Sequence, residues 1–220
     1  MLALALILAT DRELALPPTL EPALTVASRA LFRVEYCSGK SQHNEDEFAR
    51  RDQRYFRLSW SALQVWGAKA ERDIVEEMRL HLRCGAKRRN VEIARFDAAI
   101  SEAERIFEQA ILPMRQGVWI GALRLCRETV ARTEPALNIV DNPVLRVTLT
   151  SGTRARLATL SEKIMTGRYD SGQIALRVNG VVLSELMVYE RIESAVIDLP
   201  APTSNRPDFP ALAGPLGEPC

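Results

Sequence analysis

The chain has 220 residues, which is enough for one large domain or two small ones with a substantial core. Hydrophobic residues make up 47% and charged residues 26%, a balance typical of globular proteins rather than of disordered chains. Lysine and arginine total 29 against 28 acidic residues, so the net charge of +1 argues against bulk electrostatic binding to nucleic acid or anionic lipid.

The segment from Met1 to Ala9 is apolar throughout. It lacks the basic flank and the small-residue cleavage site of a signal peptide, and it is shorter than the roughly 20 residues of a membrane-spanning helix. We interpret it as a buried strand or helix start, with a processed or anchoring segment as the alternative. No part of the sequence predicts a membrane span.

The chain has four cysteines, and no two of them form a CxxC pair. Because no secretory signal precedes them, we expect reduced thiols in a cytoplasmic protein.

Two helices are predicted in the first third of the chain. One runs from Thr19 to Tyr36, because proline is tolerated in the first turn of a helix. The other starts at Asn44, where a capping residue precedes three acids, and continues to Cys84 with an interruption near Gly67.

The clearest helical pattern follows a short basic turn between Gly85 and Asn90. Its apolar residues recur at spacings of three and four, which is the seam that one helix presents to another; they are Ile93, Phe96, Ile100, Ala103, Phe107, Ala110 and Met114. The short turn predicts that this helix and the helix before it form a long antiparallel hairpin. One more helix is predicted from Val118 to Thr133.

The pattern changes after residue 142. Val144 to Thr150 alternates and is β-branched, so it predicts a strand, and Ser151 to Met165 returns to helical spacing. Asn179-Gly180 then separates two apolar β-rich runs, which is the strongest short-range signal of a β-hairpin because both turn residues take positive φ. A last strand is predicted over Ala195 to Leu199.

These elements predict an α+β protein with three parts. A mainly helical domain covers residues 1–142, and a small β-rich module with the Asn-Gly hairpin covers 143–199. Six of the twelve prolines lie in 200–220, so we expect a disordered tail there.

One candidate metal site consists of Cys37, His43, His81 and Cys84. Two cysteines and two histidines would suit tetrahedral zinc, and His81 and Cys84 share one helix face at a spacing of three. The alternative is that Cys84 packs near the helix end and His81 lies on a partly exposed face. No other cofactor is predicted.

A candidate partner-binding site is the basic cluster Arg83, Lys87, Arg88 and Arg89, which could contact acidic partners. The alternative is a solvated helix end, where cations stabilise the helix dipole. No aromatic residues interleave the cluster, so the signal for nucleic acid is weak.

No complete catalytic signature is present. Gly39-Lys40-Ser41 lacks the first glycine of a phosphate-binding loop, because Val34 stands at that position. The serines lack the pattern of a nucleophile elbow. The chain is therefore predicted to act without catalysis, with a zinc protein or enzyme as the alternative.

The stretch from Val144 to Leu199 resembles the SpoA (surface presentation of antigens) domain of flagellar and type III secretion C-ring proteins. The features that match are the strand Val144–Thr150, the Gly152-Thr153 turn, the helical segment 157–164, the run around Asn179-Gly180 and the final strand. The resemblance implies an intertwined homodimer with a structural role in a secretion- or motor-type complex.

A second resemblance is to ribbon-helix-helix antitoxins, which bind DNA. This likeness is carried by Val147-Thr148-Leu149, by the helix after it and by Gly167 to Ser171, and it requires a second helix through Asn179-Gly180.

The leading hypothesis is a non-enzymatic assembly or partner-binding protein that binds other proteins through its helical hairpin and a sheet edge.

Overall fold

The computed structural model describes residues 13–37, 42–68, 86–165, 172–200 and 209–220. The helices are α1 (Leu20–Cys37), α2 (Gln42–Trp66), α3 (Ala86–Ala110), α4 (Ser151–Met165) and α5 (Phe209–Gly217), with a 3-10 turn at Leu112–Arg115. The strands are β1 (Val118–Ile120), β2 (Leu123–Leu125), β3 (Val130–Leu137), β4 (Pro143–Leu149), β5 (Gly172–Val178), β6 (Val181–Val188) and β7 (Val196–Pro200). The predicted α+β class is confirmed, with helices followed by a β-rich region.

Helices α1 and α3 pack against each other along their apolar seams. The predicted seam of α3 is buried at its centre, where Phe96, Ile100 and Ala103 are inaccessible to solvent. Arg33, near the end of α1, lies 3.5 Å from Glu92, near the start of α3, so the two helices run antiparallel.

Helix α2 runs parallel to α3, so the predicted antiparallel hairpin depends on the segment directly before α3, which is not described. Arg51 pairs with Asp97 and Arg54 pairs with Glu104, so the two helices advance in the same direction. The antiparallel neighbour of α3 is therefore α1 within the described ranges, and residues 69–85 of the predicted hairpin lie outside them.

The predicted interruption at Gly67 is the end of α2. Gly67 takes φ +69°, and its N–H donates a 2.8 Å hydrogen bond to the carbonyl of Leu63. This is the left-handed helix cap for which glycine is favoured.

The helix predicted over Val118 to Thr133 is wrong, because this stretch forms β1, β2 and the start of β3. Gly117 and Gly121 both take positive φ, which ends helical geometry on each side of β1. β1 then pairs antiparallel with β2 and with β5, which lies far away in sequence. Short apolar runs do not distinguish strand from helix by periodicity, so long-range pairing decides here.

The strands form two antiparallel sheets. Sheet A has the order β2-β1-β5-β6 and sheet B the order β3-β4-β7, so each sheet takes strands from both sides of residue 142. The hairpin turn is confirmed, since Asn179 and Gly180 take φ of 49° and 83° between β5 and β6. The helix that a ribbon-helix-helix fold needs at this position is absent, so that resemblance is wrong.

Sheet A separates two apolar cores. One core lies between the sheet and helices α1, α2 and α3, and includes Trp119 and Trp66. The other lies between sheet A, α4 and the inner face of sheet B. The predicted bounds of α4 are confirmed, and the last strand, β7, covers the predicted stretch to within one residue at each end.

The disorder predicted after residue 200 is wrong for residues 209–220. α5 covers Phe209–Gly217, and Leu216 is only 2% exposed in the core beside α4. Pro210 lies in the first turn, where proline is tolerated, Pro215 lies inside the helix, and the buried Leu216 supplies the apolar contact that the composition did not predict. None of the helices in the described ranges combines the length and apolar character that a bilayer crossing needs.

Candidate functional site

The four predicted zinc ligands fall on segments that the structure describes only in part. Cys37 is the last residue of α1 and His43 the second residue of α2. His81 and Cys84 lie outside the described residues, so the zinc site stays a prediction.

A turn was predicted between Gly85 and Asn90, but the described residues of this stretch, from Ala86 onward, are helical. Lys87, Arg88 and Arg89 lie in the first turns of α3, while Arg83 lies outside the described residues. Lysine and arginine are good helix formers, which explains why α3 already starts at Ala86. Arg89 donates a 2.5 Å hydrogen bond to Glu47 of α2, so it is used within the chain.

Further ion pairs join α2 to α3. Arg51 lies 3.0 Å from Glu47 and 3.1 Å from Asp97, and Arg54 pairs with Glu104. The pKa of Glu47 is lowered from its ordinary value, chiefly because its carboxylate accepts a hydrogen bond from Arg51. These arginines pair α2 with α3, and the partner-binding role predicted for Arg83, Lys87, Arg88 and Arg89 stays a prediction.

The outer edge of β6 is the most open strand edge on sheet A. β6 has eight residues and stands at the end of the sheet, and no described strand pairs with its outer side. It contains no lysine and no proline, the residues that usually protect edges from pairing. Three of its exposed side chains are apolar, with Val181 69%, Val182 44% and Met187 45% exposed, and the fourth exposed residue is the acid Glu185.

A reciprocal pair of hydrogen bonds fixes the β5–β6 turn to the start of β1. The N–H of Gly117 donates to Asn179 Oδ1 at 2.9 Å, and the N–H of Asn179 donates to the Gly117 carbonyl at 2.9 Å. Glu185, in the middle of β6, accepts a 2.9 Å hydrogen bond from Gln64 of α2. The edge strand is therefore held in place before any partner binds.

Arg177 lies on β5 directly beside this edge. It is 6% exposed, its cross-strand neighbour is Val182, and its Nη1 has no hydrogen-bond acceptor among the described residues. Burial is the main cause that lowers the pKa of Arg177, and the nearby Glu185 opposes that shift. A buried donor without an acceptor costs on the order of 1–3 kcal/mol, more when it is charged.

A cavity of about 620 Å³ lies on another side of the molecule, between α4 and an extended segment that precedes α1. The segment Glu13–Leu16 forms one wall. It is held by a bridge from Glu13 to Leu123, by a 2.9 Å hydrogen bond from Leu14 N–H to the Ala122 carbonyl, and by a 3.0 Å bond from Trp66 Nε1 to the Leu14 carbonyl.

The turn between β1 and β2 approaches this cavity closely. A Cβ at Gly121 would lie 2.5 Å from Leu160 Cδ2 and 3.0 Å from the Val65 carbonyl oxygen. Gly121 thereby allows α2, α4 and the β1–β2 turn to meet at one point.

Cys126 and Cys220 form a disulfide with a Cα–Cα distance of 5.5 Å. The expectation of reduced thiols is wrong for this pair, because folding of the last segment brings together two cysteines that are far apart in sequence. Cys220 N–H also donates to Glu128 at 2.7 Å, and Arg124 donates to the Cys220 carbonyl at 2.9 Å. The cluster Cys126, Glu128 and Cys220 thus attaches the segment after α5 to the turn between β2 and β3.

Comparisons with known proteins add little to this description. No family model matches the chain, and no curated protein matches it. Among solved structures, the chain is similar to one titled "Structure and function of a membrane component SecDF that enhances protein export", with a TM-score of 0.34 and 14% identity over 94% of this chain and 92% of that chain.

Proposed function

We propose that the chain is a non-enzymatic partner-binding protein that takes up an extended segment of another protein along the outer edge of β6. The observation that carries this proposal is an eight-residue edge strand without lysine or proline, on which three of the four exposed side chains are apolar and the fourth is Glu185. An added strand would pair with the free backbone groups of β6, and its side chains would cover the exposed valines and methionine.

The reciprocal hydrogen bonds at Asn179 fix the strand before a partner binds, so the strand loses less conformational entropy on binding.

The test compares substitutions on the edge with one elsewhere. Val182→Lys and Met187→Lys place a charge on the edge strand, while Val91→Lys changes a valine on α3 that is 54% exposed. The probe is a reduced, carboxymethylated polypeptide that cannot fold, with binding followed by fluorescence anisotropy. We expect the two edge variants to bind at least about tenfold more weakly and the α3 variant to bind like the wild type.

Because all three side chains are already exposed, each variant should unfold within about 0.5 kcal/mol of the wild type. Equal binding by all four proteins, or no binding by the wild type, would count against the edge as the docking surface.

Self-association and a place in a secretion- or motor-type complex belong to the same proposal, supported by the resemblance of residues 144–199 to SpoA domains. Multi-angle light scattering over a range of concentrations tests it. A dimer supports a SpoA-like assembly, and a monomer at the highest concentration rules it out.

A further inference from the structure

We propose that a surface pocket between α2 and α3 binds a phosphomonoester, that is, a doubly charged phosphate group carried by a small molecule. The pocket has a volume of about 290 Å³, near the lower end of the roughly 300–1,000 Å³ typical of ligand sites, so it suits a small ligand. It is lined by Arg50, Gln53, Arg54, Arg57, Leu58 and Glu104.

The polar residues that α2 contributes to the pocket lie on one face of the helix. Arg50, Gln53, Arg54 and Arg57 occupy positions i, i+3, i+4 and i+7, the spacing at which helical side chains are neighbours. A regular helix therefore holds all four at fixed separations before a ligand binds, and a preformed site loses little conformational entropy on binding.

Two of the three arginines in the lining have no acidic partner. Arg54 donates a 2.7 Å hydrogen bond from Nε to Glu104, the single carboxylate in the lining. Arg50 donates from Nε to the backbone carbonyl of Asp46 at 3.3 Å, and no carboxylate of the described residues forms an ion pair with Arg50 or Arg57. Three arginines against one glutamate therefore leave a lining charge of +2, located on Arg50 and Arg57.

A neighbouring pocket shows the opposite balance. It shares Arg50 with the first pocket, but its two acids, Glu47 and Asp97, lie 3.0 Å and 3.1 Å from Arg51. Because the acids there already have a cation, the excess of positive charge lies on the side of Arg57.

A phosphomonoester matches both the charge and the donors of the pocket. Its two negative charges equal the lining charge, and its three terminal oxygens can accept hydrogen bonds from Arg50, from Arg57 and from the amide of Gln53 between them. The planar fork of arginine fits phosphate oxygens in pairs. A carboxylate brings one charge and two oxygens in one plane, so it would leave one of the two arginines without a partner.

The test uses isothermal titration calorimetry on the full chain at low ionic strength with two probes that share one aromatic ring, phenyl phosphate and benzenesulfonate. At about pH 8 the phosphate is a dianion, because its second pKa is about 6, whereas the tetrahedral sulfonate is a monoanion. We expect phenyl phosphate to bind one site at least about fivefold more tightly. Equal affinities, or no saturable binding of phenyl phosphate, would overturn the proposal.

Arginine variants locate the binding. Arg50→Gln and Arg57→Gln should each weaken phenyl phosphate binding about three- to fivefold, the effect of losing one exposed ion pair. Arg154→Gln removes the same charge from an exposed position on α4 outside the lining and should leave binding unchanged. Glutamine is a good helix former, so the circular dichroism of all three should match the wild type. Equal effects of the three changes would refute this site.

A variant of the single acid in the lining should act in the opposite direction. Glu104→Gln raises the lining charge and leaves Arg54 available to the ligand, so the folded variant should bind phenyl phosphate about threefold more tightly. Unchanged or weaker binding by that folded variant would overturn the assignment.

The edge variant Val182→Lys separates the two proposals. It should bind phenyl phosphate like the wild type, because β6 contributes no residue to the pocket lining. Loss of phenyl phosphate binding in that folded variant would overturn the pocket as an independent site, whereas failure of β6 to bind a polypeptide leaves the pocket test intact.

Discussion

Replacing Cys220 by serine removes the covalent link between the β2–β3 turn and the segment after α5. The bonded cysteines are separated by 94 residues, and closing a loop of that size lowers the entropy of the unfolded chain by the equivalent of about 4.7 kcal/mol in the chain-entropy estimate. The bond from Cys220 N–H to Glu128 and the burial of Leu216 remain, and they hold the segment only non-covalently.

We therefore expect the Cys220→Ser protein to lose about 4 kcal/mol of unfolding free energy. For a chain of this size, each kcal/mol corresponds to about 2–4 °C, so its melting temperature should fall by roughly 10 °C. Thermal unfolding followed by circular dichroism measures this, and alkylation of the native protein before mass spectrometry shows whether Cys126 and Cys220 are blocked.

A thiol reductant supplies the control. It should lower the melting temperature of the wild type by a similar amount, and any further effect on Cys220→Ser reports on the three remaining cysteines, Cys37, Cys84 and Cys126. If the variant, the reduced wild type and the oxidised wild type all melt within about 2 °C of one another, the disulfide does not stabilise the fold by the expected amount.

Three further predictions concern turns, packing and charge. Gly172→Ala should cost about 1–3 kcal/mol in urea unfolding, because the new Cβ would lie 1.9 Å from Cγ2 of buried Ile164; Gly152→Ala, with no atom within 4 Å, should be neutral or slightly stabilising, and equal effects would contradict the packing. Asn179→Ala should cost about 1–2 kcal/mol in the same assay, because it loses a 2.9 Å hydrogen bond at a residue with φ +49°, and an unchanged midpoint would disprove the role of this turn. The hydrogen bond from Arg146 lowers the pKa of Asp198, so this carboxylate contributes stability that is fully present above its ordinary pKa of about 3.9 and is lost as the pH falls through its lower folded pKa. Melting temperatures between pH 2 and pH 6 should therefore fall more steeply on acidification for the wild type than for Asp198→Asn, and parallel curves would exclude the pair as a source of pH dependence.

Local sequence signals predicted the elements whose geometry is set by neighbouring residues. The Asn179-Gly180 turn, the bounds of α4 and the strand beginning near Val144 all match the structure. In each case the signal lies within about fifteen residues: positive φ at the turn, helical spacing, or β-branched alternation. The central seam of α3 was predictable for the same reason.

Neither candidate surface carries such a local signal. The cavity takes residues from the segment at Glu13, from the end of α2, from the β1–β2 turn and from α4. The β6 strand could be predicted from the hairpin pattern, but its position at the end of sheet A could not. Whether a strand is central or at an edge depends on which strands pair beside it.

The sequence alone therefore determined an α+β chain with a β-hairpin at Asn179-Gly180 and an amphipathic α3, because the backbone preferences of the residues themselves specify those features. Tertiary structure alone decided that Val118–Ile120 is a strand, that α2 and α3 run parallel, and that Cys126 meets Cys220. The physical reason is that apolar burial and strand pairing act between segments distant in the chain, and they override weak local propensity wherever the buried contacts are more favourable.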